Sequence, residues 1–138
     1  MKQLPAILVV DDSDNDALFL REAFKVAGME VAWSRARSGE EAVEYFEKRG
    51  PEHRIPKLII LDLKMPRMDG FEVLDWLSEK RLFEQIPVAV LSSSGLEQDR
   101  TKAMDSGATE FYTKPPDFLG YESLVKNLRE RFFLIGSD

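Results

Sequence analysis

The stretch Leu58-Ile59-Ile60-Leu61-Asp62 decides the fold. Four consecutive apolar residues followed by an acid form the pattern of a strand buried on both faces, with a polar group where the strand emerges. The pattern recurs at Ile7-Leu8-Val9-Val10, which runs into Asp11-Asp12. A third run, Glu110-Phe111-Tyr112-Thr113, also ends in a charged residue, Lys114, followed by Pro115. Strands of a parallel sheet all finish at one edge. Asp11, Asp12, Asp62 and Lys114 are therefore expected to share one crevice at the strands' carboxyl ends, where open α/β sheets bind ligands.

Helical patterns separate the runs. Ser13 with Asp16 resembles a capping box, and Ala17, Leu20, Ala23, Phe24 and Ala27 follow at helical spacing, with Gly28 as the stop. Val31-Ala32-Trp33 reads as a second strand. Ser38 with Glu41 opens another helix through Ala42, Val43 and Phe46, stopped by Gly50-Pro51. After Asp62 comes a loop from Lys64 to Gly70, where Pro66 and Asp69-Gly70 are turn or cap residues. A third helix is expected to bury Phe71, Val73, Leu74 and Leu77. Pro87 opens the strand Val88 to Leu91, which ends in Ser92-Ser93-Ser94-Gly95. A weak helix from about Glu97 to Ser106 has a thin apolar face of Leu96, Ala103 and Met104. The last helix, about Phe118 to Leu134, is expected to bury Leu124, Val125, Leu128 and Phe132. Five βα units with right-handed crossovers make an α/β fold: a doubly wound, five-stranded parallel sheet, order 2-1-3-4-5, flavodoxin-like, with helices on both faces. The strand order reverses between the first and third strands, so the crevice should open between Asp11-Asp12 and Asp62.

Composition narrows the function. The 138 residues suit one domain, with 43% hydrophobic and 32% charged residues. No apolar stretch approaches the roughly 18 residues that span a bilayer. The N-terminus lacks a signal-peptide layout, so the expected location is cytoplasmic, away from any membrane. Cysteine is absent, which excludes disulfides and thiolate chemistry. A net charge of −6 without a basic patch argues against nucleic-acid binding. The single histidine, His53, reads as a surface-loop residue.

Three carboxylates in one pocket repel one another unless a cation joins them. Mg²⁺ suits them, because it takes oxygen ligands and usually one or two carboxylates together with phosphate oxygens. Three carboxylates, one Mg²⁺ and Lys114 then balance to zero charge. A carboxylate in that setting can attack phosphorus, and Asp62, alone at the end of the central strand, is the best nucleophile. Asp11 and Asp12 would hold the metal. Lys114 and the Ser92 hydroxyl would meet phosphoryl oxygens. Blander roles exist for each: one acid of the Asp11-Asp12 pair suffices as a helix cap, Ser92 could cap the next helix, and Lys114 could be solvated.

The set Asp11-Asp12, Asp62, Ser92 and Lys114-Pro115 resembles the receiver domain of two-component response regulators. So does the run Leu61-Asp62-Leu63-Lys64-Met65-Pro66-Arg67-Met68-Asp69-Gly70, which matches the stretch around that family's phosphoacceptor. The intervals agree: 50 residues from Asp12 to Asp62, 30 to Ser92 and 22 more to Lys114. The resemblance spans about Ala6 to Phe133. The ending Lys114-Pro115-Pro116-Asp117-Phe118 and the long first helix are similar to single-domain regulators found beside bacteriophytochrome kinases.

The resemblance implies a stand-alone receiver domain over residues 1–138 with no output domain. It implies that Asp62 accepts a phosphoryl group from a sensor histidine kinase, that Asp11, Asp12, Asp62 and the main-chain carbonyl of Lys64 bind Mg²⁺, and that Ser92 and Lys114 contact the phosphoryl group. The chain would assist only its own phosphorylation and dephosphorylation rather than act as an enzyme. Phe111 stands where the family often has a switch tyrosine, and Tyr112 should point to the opposite face. On phosphorylation, the loop at Ser92 should move inward and Phe111 should repack, biasing the face around the last two helices. Output would come from a downstream protein partner or a homodimer, with Phe132-Phe133-Leu134-Ile135 as a candidate contact. Two other readings remain. A Mg²⁺-dependent phosphohydrolase commonly has an acid two residues after the nucleophile, where this chain has Lys64. A flavodoxin-like binding module would use the serine loop to cradle phosphate.

Overall fold

The computed structural model describes residues 4–48 and 55–133. His53, the Gly50-Pro51 stop, Leu134 and Ile135 lie outside the described residues. Five parallel strands, β1 (Ala6–Val10), β2 (Ala32–Ala36), β3 (Leu58–Leu61), β4 (Val88–Ser92) and β5 (Glu110–Thr113), form one sheet in the order β2-β1-β3-β4-β5. The helices between and after them are α1 (Asp14–Val26), α2 (Gly39–Glu47), α3 (Gly70–Glu79), α4 (Glu97–Asp105) and α5 (Phe118–Leu128). The expected sheet order and the five βα units are present.

Successive strand residues point to opposite faces, and both faces are covered. Leu8, Val10, Ile59, Leu61, Val88 and Val90 pack with Ala42, Val73, Leu74, Leu77 and Ala103 of α2, α3 and α4. Ile7, Val9, Leu58, Ile60, Ala89 and Leu91 pack with Leu20, Ala23, Phe24, Tyr121 and Val125 of α1 and α5. Each buried aliphatic side chain contributes about 1.5–3 kcal/mol. The strands are thus rigid supports for whatever sits at their ends. Register brings those ends level, with Val10 opposite Leu61, Leu61 opposite Val90 and Ser92 opposite Thr113.

Local signals account for the helix boundaries. The Ser13 hydroxyl accepts from the Asp16 amide, and Ser38 accepts from Glu41. Glu41 closes its own loop on the Arg37 amide instead of returning to Ser38. The full reciprocal box forms at α3, between Asp69 and Glu72. Gly28, at φ 73°, ends α1 in the left-handed region that glycine enters without strain.

Several details differ from the sequence reading. Strand β2 starts at Ala32 and runs on to Ala36, held by the Ile7–Trp33 to Val10–Ala36 pairings rather than by its own hydrophobicity. A 3₁₀ turn at Leu82–Glu84 follows α3. Val43, Phe46 and Phe71 are half-buried, because they sit at the margin of the apolar stripe. Leu96 and Met104 are exposed, leaving Ala103 as the buried residue of α4. Helix α5 gives way to a π-type turn at Arg129–Phe133. The wider winding takes an extra residue to complete the turn, so the inward position after Leu128 moves one along: Phe133 is buried and Phe132 is only half-buried.

Candidate functional site

The rim of the sheet carries the polar groups. The Asp11 amide donates to the Ala36 carbonyl and the Asp62 amide to the Val10 carbonyl, at 3.0 and 2.9 Å, so both acids are seated by sheet hydrogen bonds. The Lys114 amide donates to the Ser92 carbonyl at 2.7 Å, which extends the β4–β5 pairing to the site lysine. One carboxylate oxygen from each of Asp11, Asp12 and Asp62 lies within 4.8 Å of the others. The convergence expected from three separate apolar runs is therefore present.

Asp11 and Asp62 are each 4% exposed, whereas Asp12 is exposed. Asp11 Oδ1 accepts from the Ser13 amide at 2.9 Å, and Asp62 Oδ1 accepts from the Lys64 amide at 3.4 Å. Burial raises the Asp11 carboxyl above its usual value of 3.8, although the Ser13 amide and Lys114 pull the other way. Asp62 is pushed up to about 6, first by burial and then by the charge of Asp11, against the pull of Lys114. Burial thus disfavours the charged form of both acids, and for Asp62 the neighbouring Asp11 charge adds to it.

A divalent cation fits that donor set. Asp11, Asp12 and Asp62 would hold it, each offering one oxygen within 4.8 Å of the others. The ligand type is right, all hard carboxylate oxygen. Lys64 lies at the mouth, with an exposed side chain and its amide on Asp62.

Lys114 reaches the acids as expected, with Nζ 3.0 Å from Asp11 Oδ2 and 3.6 Å from Asp62 Oδ2. Its shortest contact was not anticipated: Asp16 Oδ2, at 2.7 Å, on the first turn of α1. Burial opposes the ammonium form, but the hydrogen bond to Asp16 and the charges of Asp11 and Asp62 outweigh it and hold Lys114 above its ordinary range. The sequence-level charge balance is corrected accordingly. Lys114 contacts three carboxylates, Asp11, Asp16 and Asp62; with Asp12 the crevice holds four, and one Mg²⁺ would leave the set at −1. Asp16 reads in sequence as a helix-capping partner, and only the packing of α1 with α5 on one face of the sheet brings it to Lys114.

Ser92 is fully buried, and its hydroxyl accepts from the Ser94 amide at 3.2 Å. Ser94 Oγ donates to Asp99 Oδ2 at 2.5 Å, and Lys64 Nζ lies 3.8 Å from the same oxygen. Asp99, on the first turn of α4, thus joins the two loops at the crevice mouth; no motif marked it. Gly70 serves the site through its lack of a side chain. A Cβ there would sit 2.4 Å from the Asp62 carbonyl oxygen and 2.6 Å from Leu63 Cα, so only glycine lets α3 start against the strand end.

Phe111 is 7% exposed and packs on the α2–α3–α4 face. The Arg100 guanidinium lies 5.9 Å from its ring, and Arg100 Nη1 donates to its carbonyl at 3.5 Å. Any repacking of Phe111 would start from a ring already inside. Tyr112 faces the opposite side, as alternation requires, and its hydroxyl donates to Asn127 Oδ1 at 2.7 Å.

The model of the response regulator receiver domain matches residues 7–126. The chain belongs to the response regulator receiver domain family. Receiver domains of this family are generally phosphorylated on an aspartate by histidine kinases and bind Mg²⁺ at an acidic pocket. The chain is 29% identical over 125 residues to the probable methanogenesis regulatory protein FilR2 of Methanothrix harundinacea, covering 90% of this chain and 81% of that protein. Several other curated relatives are longer, and the chain spans about half of their length or less. The phosphorylated cyanobacterial phytochrome response regulator RcpA superposes with a TM-score of 0.86 at 30% identity over 96% of each chain. The Mn²⁺-bound form of response regulator Rcp1 superposes with a TM-score of 0.83 at 26% identity, covering 95% of this chain and 96% of that one. Among the described residues of this receiver domain, no helix is long and apolar enough to cross a membrane.

Proposed function

We propose that this receiver domain accepts a phosphoryl group on Asp62 from a sensor histidine kinase and signals through phosphorylation-dependent partner binding or dimerisation. The observation that carries the reading is the meeting of Asp11, Asp12 and Asp62 oxygens within 4.8 Å, with the Lys114 ammonium on the same rim. Asp62 supplies the attacking oxygen. The phosphorus–nitrogen bond of a phosphohistidine breaks as the Asp62 oxygen–phosphorus bond forms, and the imidazole leaves. Asp11, Asp12, Asp62 and the Lys64 carbonyl would hold Mg²⁺, which supplies charge neutralisation to the transferring group. Lys114 contributes a point cation to the phosphoryl oxygens, and the Ser92 hydroxyl donates to them.

Likeness to RcpA, a phytochrome response regulator, and to AtBRR, a bacteriophytochrome response regulator, makes a bacteriophytochrome-type kinase the first partner to test. A cytoplasmic location follows from that partnership. We read the chain as a phosphoacceptor and not as an enzyme with a separate substrate. Lys64, where a phosphohydrolase would carry an acid, supports this.

The test is incubation with Mg²⁺ and a small phosphodonor, followed by the mass of the intact protein. A single phosphoryl adduct is expected, lost in Asp62→Asn and lost with chelator. An adduct that persists in Asp62→Asn would overturn the assignment, and sustained turnover of simple phosphate esters would favour the hydrolase.

A further inference from the structure

The shortest contact of the site lysine points away from the phosphoacceptor. Lys114 Nζ lies 2.7 Å from Asp16, 3.0 Å from Asp11 and 3.6 Å from Asp62. An ammonium has three N–H donors, and the strongest of these contacts goes to a residue outside the metal-binding trio. The Lys114 side chain is only 11% exposed, so water does not substitute freely for a lost partner. The Asp16 side chain is 30% exposed and stands on the first turn of α1. A carboxylate is electrostatically favoured at a helix N-terminus. Its main chain is fixed there by the bond from the Asp16 amide to the Ser13 hydroxyl, at 3.2 Å. Behind it, the buried Tyr121 of α5 faces the same carboxylate: its hydroxyl is pushed up to about 12, by burial first and then by the Asp16 charge. Asp16 is therefore a firmly seated acceptor, not a mobile surface acid.

We propose that Asp16 is a positioning residue for Lys114, drawing the ammonium off the metal-binding carboxylates in the resting protein and competing with the phosphoryl group for it afterwards. The inference rests on the phosphoacceptor reading above. Two consequences of opposite sign follow. Without the Asp16 charge, Lys114 settles on Asp11 and Asp62, whose oxygens Mg²⁺ needs. The crevice also loses one negative charge. Both changes weaken Mg²⁺ binding. At saturating Mg²⁺ the order reverses. A phosphoryl-like anion gains undivided use of Lys114 and escapes repulsion from Asp16, so it binds more tightly. A substitution that merely loosened α1 would weaken both ligands together.

The test is calorimetric titration of the full chain, native and Asp16→Asn, with two probes. One is Mg²⁺ alone. The other is beryllium fluoride, a phosphoryl mimic, at saturating Mg²⁺. Asp16→Asn is expected to weaken Mg²⁺ about threefold and to tighten beryllium fluoride about tenfold, the scale of one partly solvated charge interaction. Asp16→Glu, which keeps the charge, is expected to return both affinities towards native. Weaker or unchanged beryllium fluoride binding in Asp16→Asn, with native protein binding both probes, overturns the inference and leaves the phosphoacceptor reading standing. Native protein that binds neither probe overturns both.

Discussion

Asp62→Asn is expected to stabilise the metal-free protein. The native carboxyl is 4% exposed, lies beside Asp11, and is pushed from 3.8 to about 6. A carboxyl that is harder to ionise in the folded chain than in the unfolded chain destabilises the fold wherever it must be ionised. At 1.36 kcal/mol per pH unit the displacement amounts to roughly 3 kcal/mol, and solvent at the open rim reduces this to about 1–2 kcal/mol. Asparagine keeps the shape and removes the charge, and Lys114 retains Asp11 and Asp16. The sign with pH is fixed. Below 3.8 the carboxyl is protonated in both states and the variant gains nothing. As pH rises through about 6 the native protein loses stability relative to the variant, and the full difference stands at neutral pH. The assay is urea and thermal unfolding in chelator at pH 4 and pH 7.5. A melting temperature higher by roughly 3–6 °C is expected at pH 7.5 for a chain of this size. Saturating Mg²⁺ should shrink the gap, because ligation stabilises the native protein. A native protein as stable as Asp62→Asn at pH 7.5 in chelator would refute the idea that the acids are held together under strain.

Three further outcomes are expected. Gly70→Ala should cost about 2 kcal/mol or more in urea unfolding, since its Cβ would meet the backbone of Asp62 and Leu63 and neither can swing aside. Ser92→Ala should phosphorylate on Asp62 yet lose the amide-shift changes at Ser94 and Leu96 that native protein shows; identical changes in both proteins would remove Ser92 from the coupling. Phe133→Ala should destabilise by about 2 kcal/mol and Phe132→Ala by about 1 kcal/mol, because the π-type turn buries the former and leaves the latter half-buried.

Most of the crevice was legible in the primary sequence. A strand buried on both faces must be apolar throughout, so the residue that ends the run marks the rim, as Asp11, Asp62 and Lys114 do. The intervals between those residues each leave room for two helices and a strand between them, and right-handed crossovers then leave few sheet orders. The helix faces were less legible. Val43, Phe46 and Phe71 have the correct spacing but lie at the stripe's edge, and depth of burial depends on how far each helix tilts over the sheet. The end of α5 differs from the helical spacing of the sequence, because a π-type turn has no distinct periodicity and moves burial from Phe132 to Phe133.

Chain chemistry alone determined which groups stand at the sheet's edge, since covalent order along a strand dictates where it stops. Asp16 and Asp99 belong to the other class. Each sits in the first turn of a helix, where an acid is favoured whatever lies opposite. Only the packing of α1 against α5, and of α4 against β5, gave them Lys114 and Lys64 as partners. Contacts between side chains 98 residues apart, such as Lys114 with Asp16, depend on the lateral placement of packed elements, which no local pattern encodes.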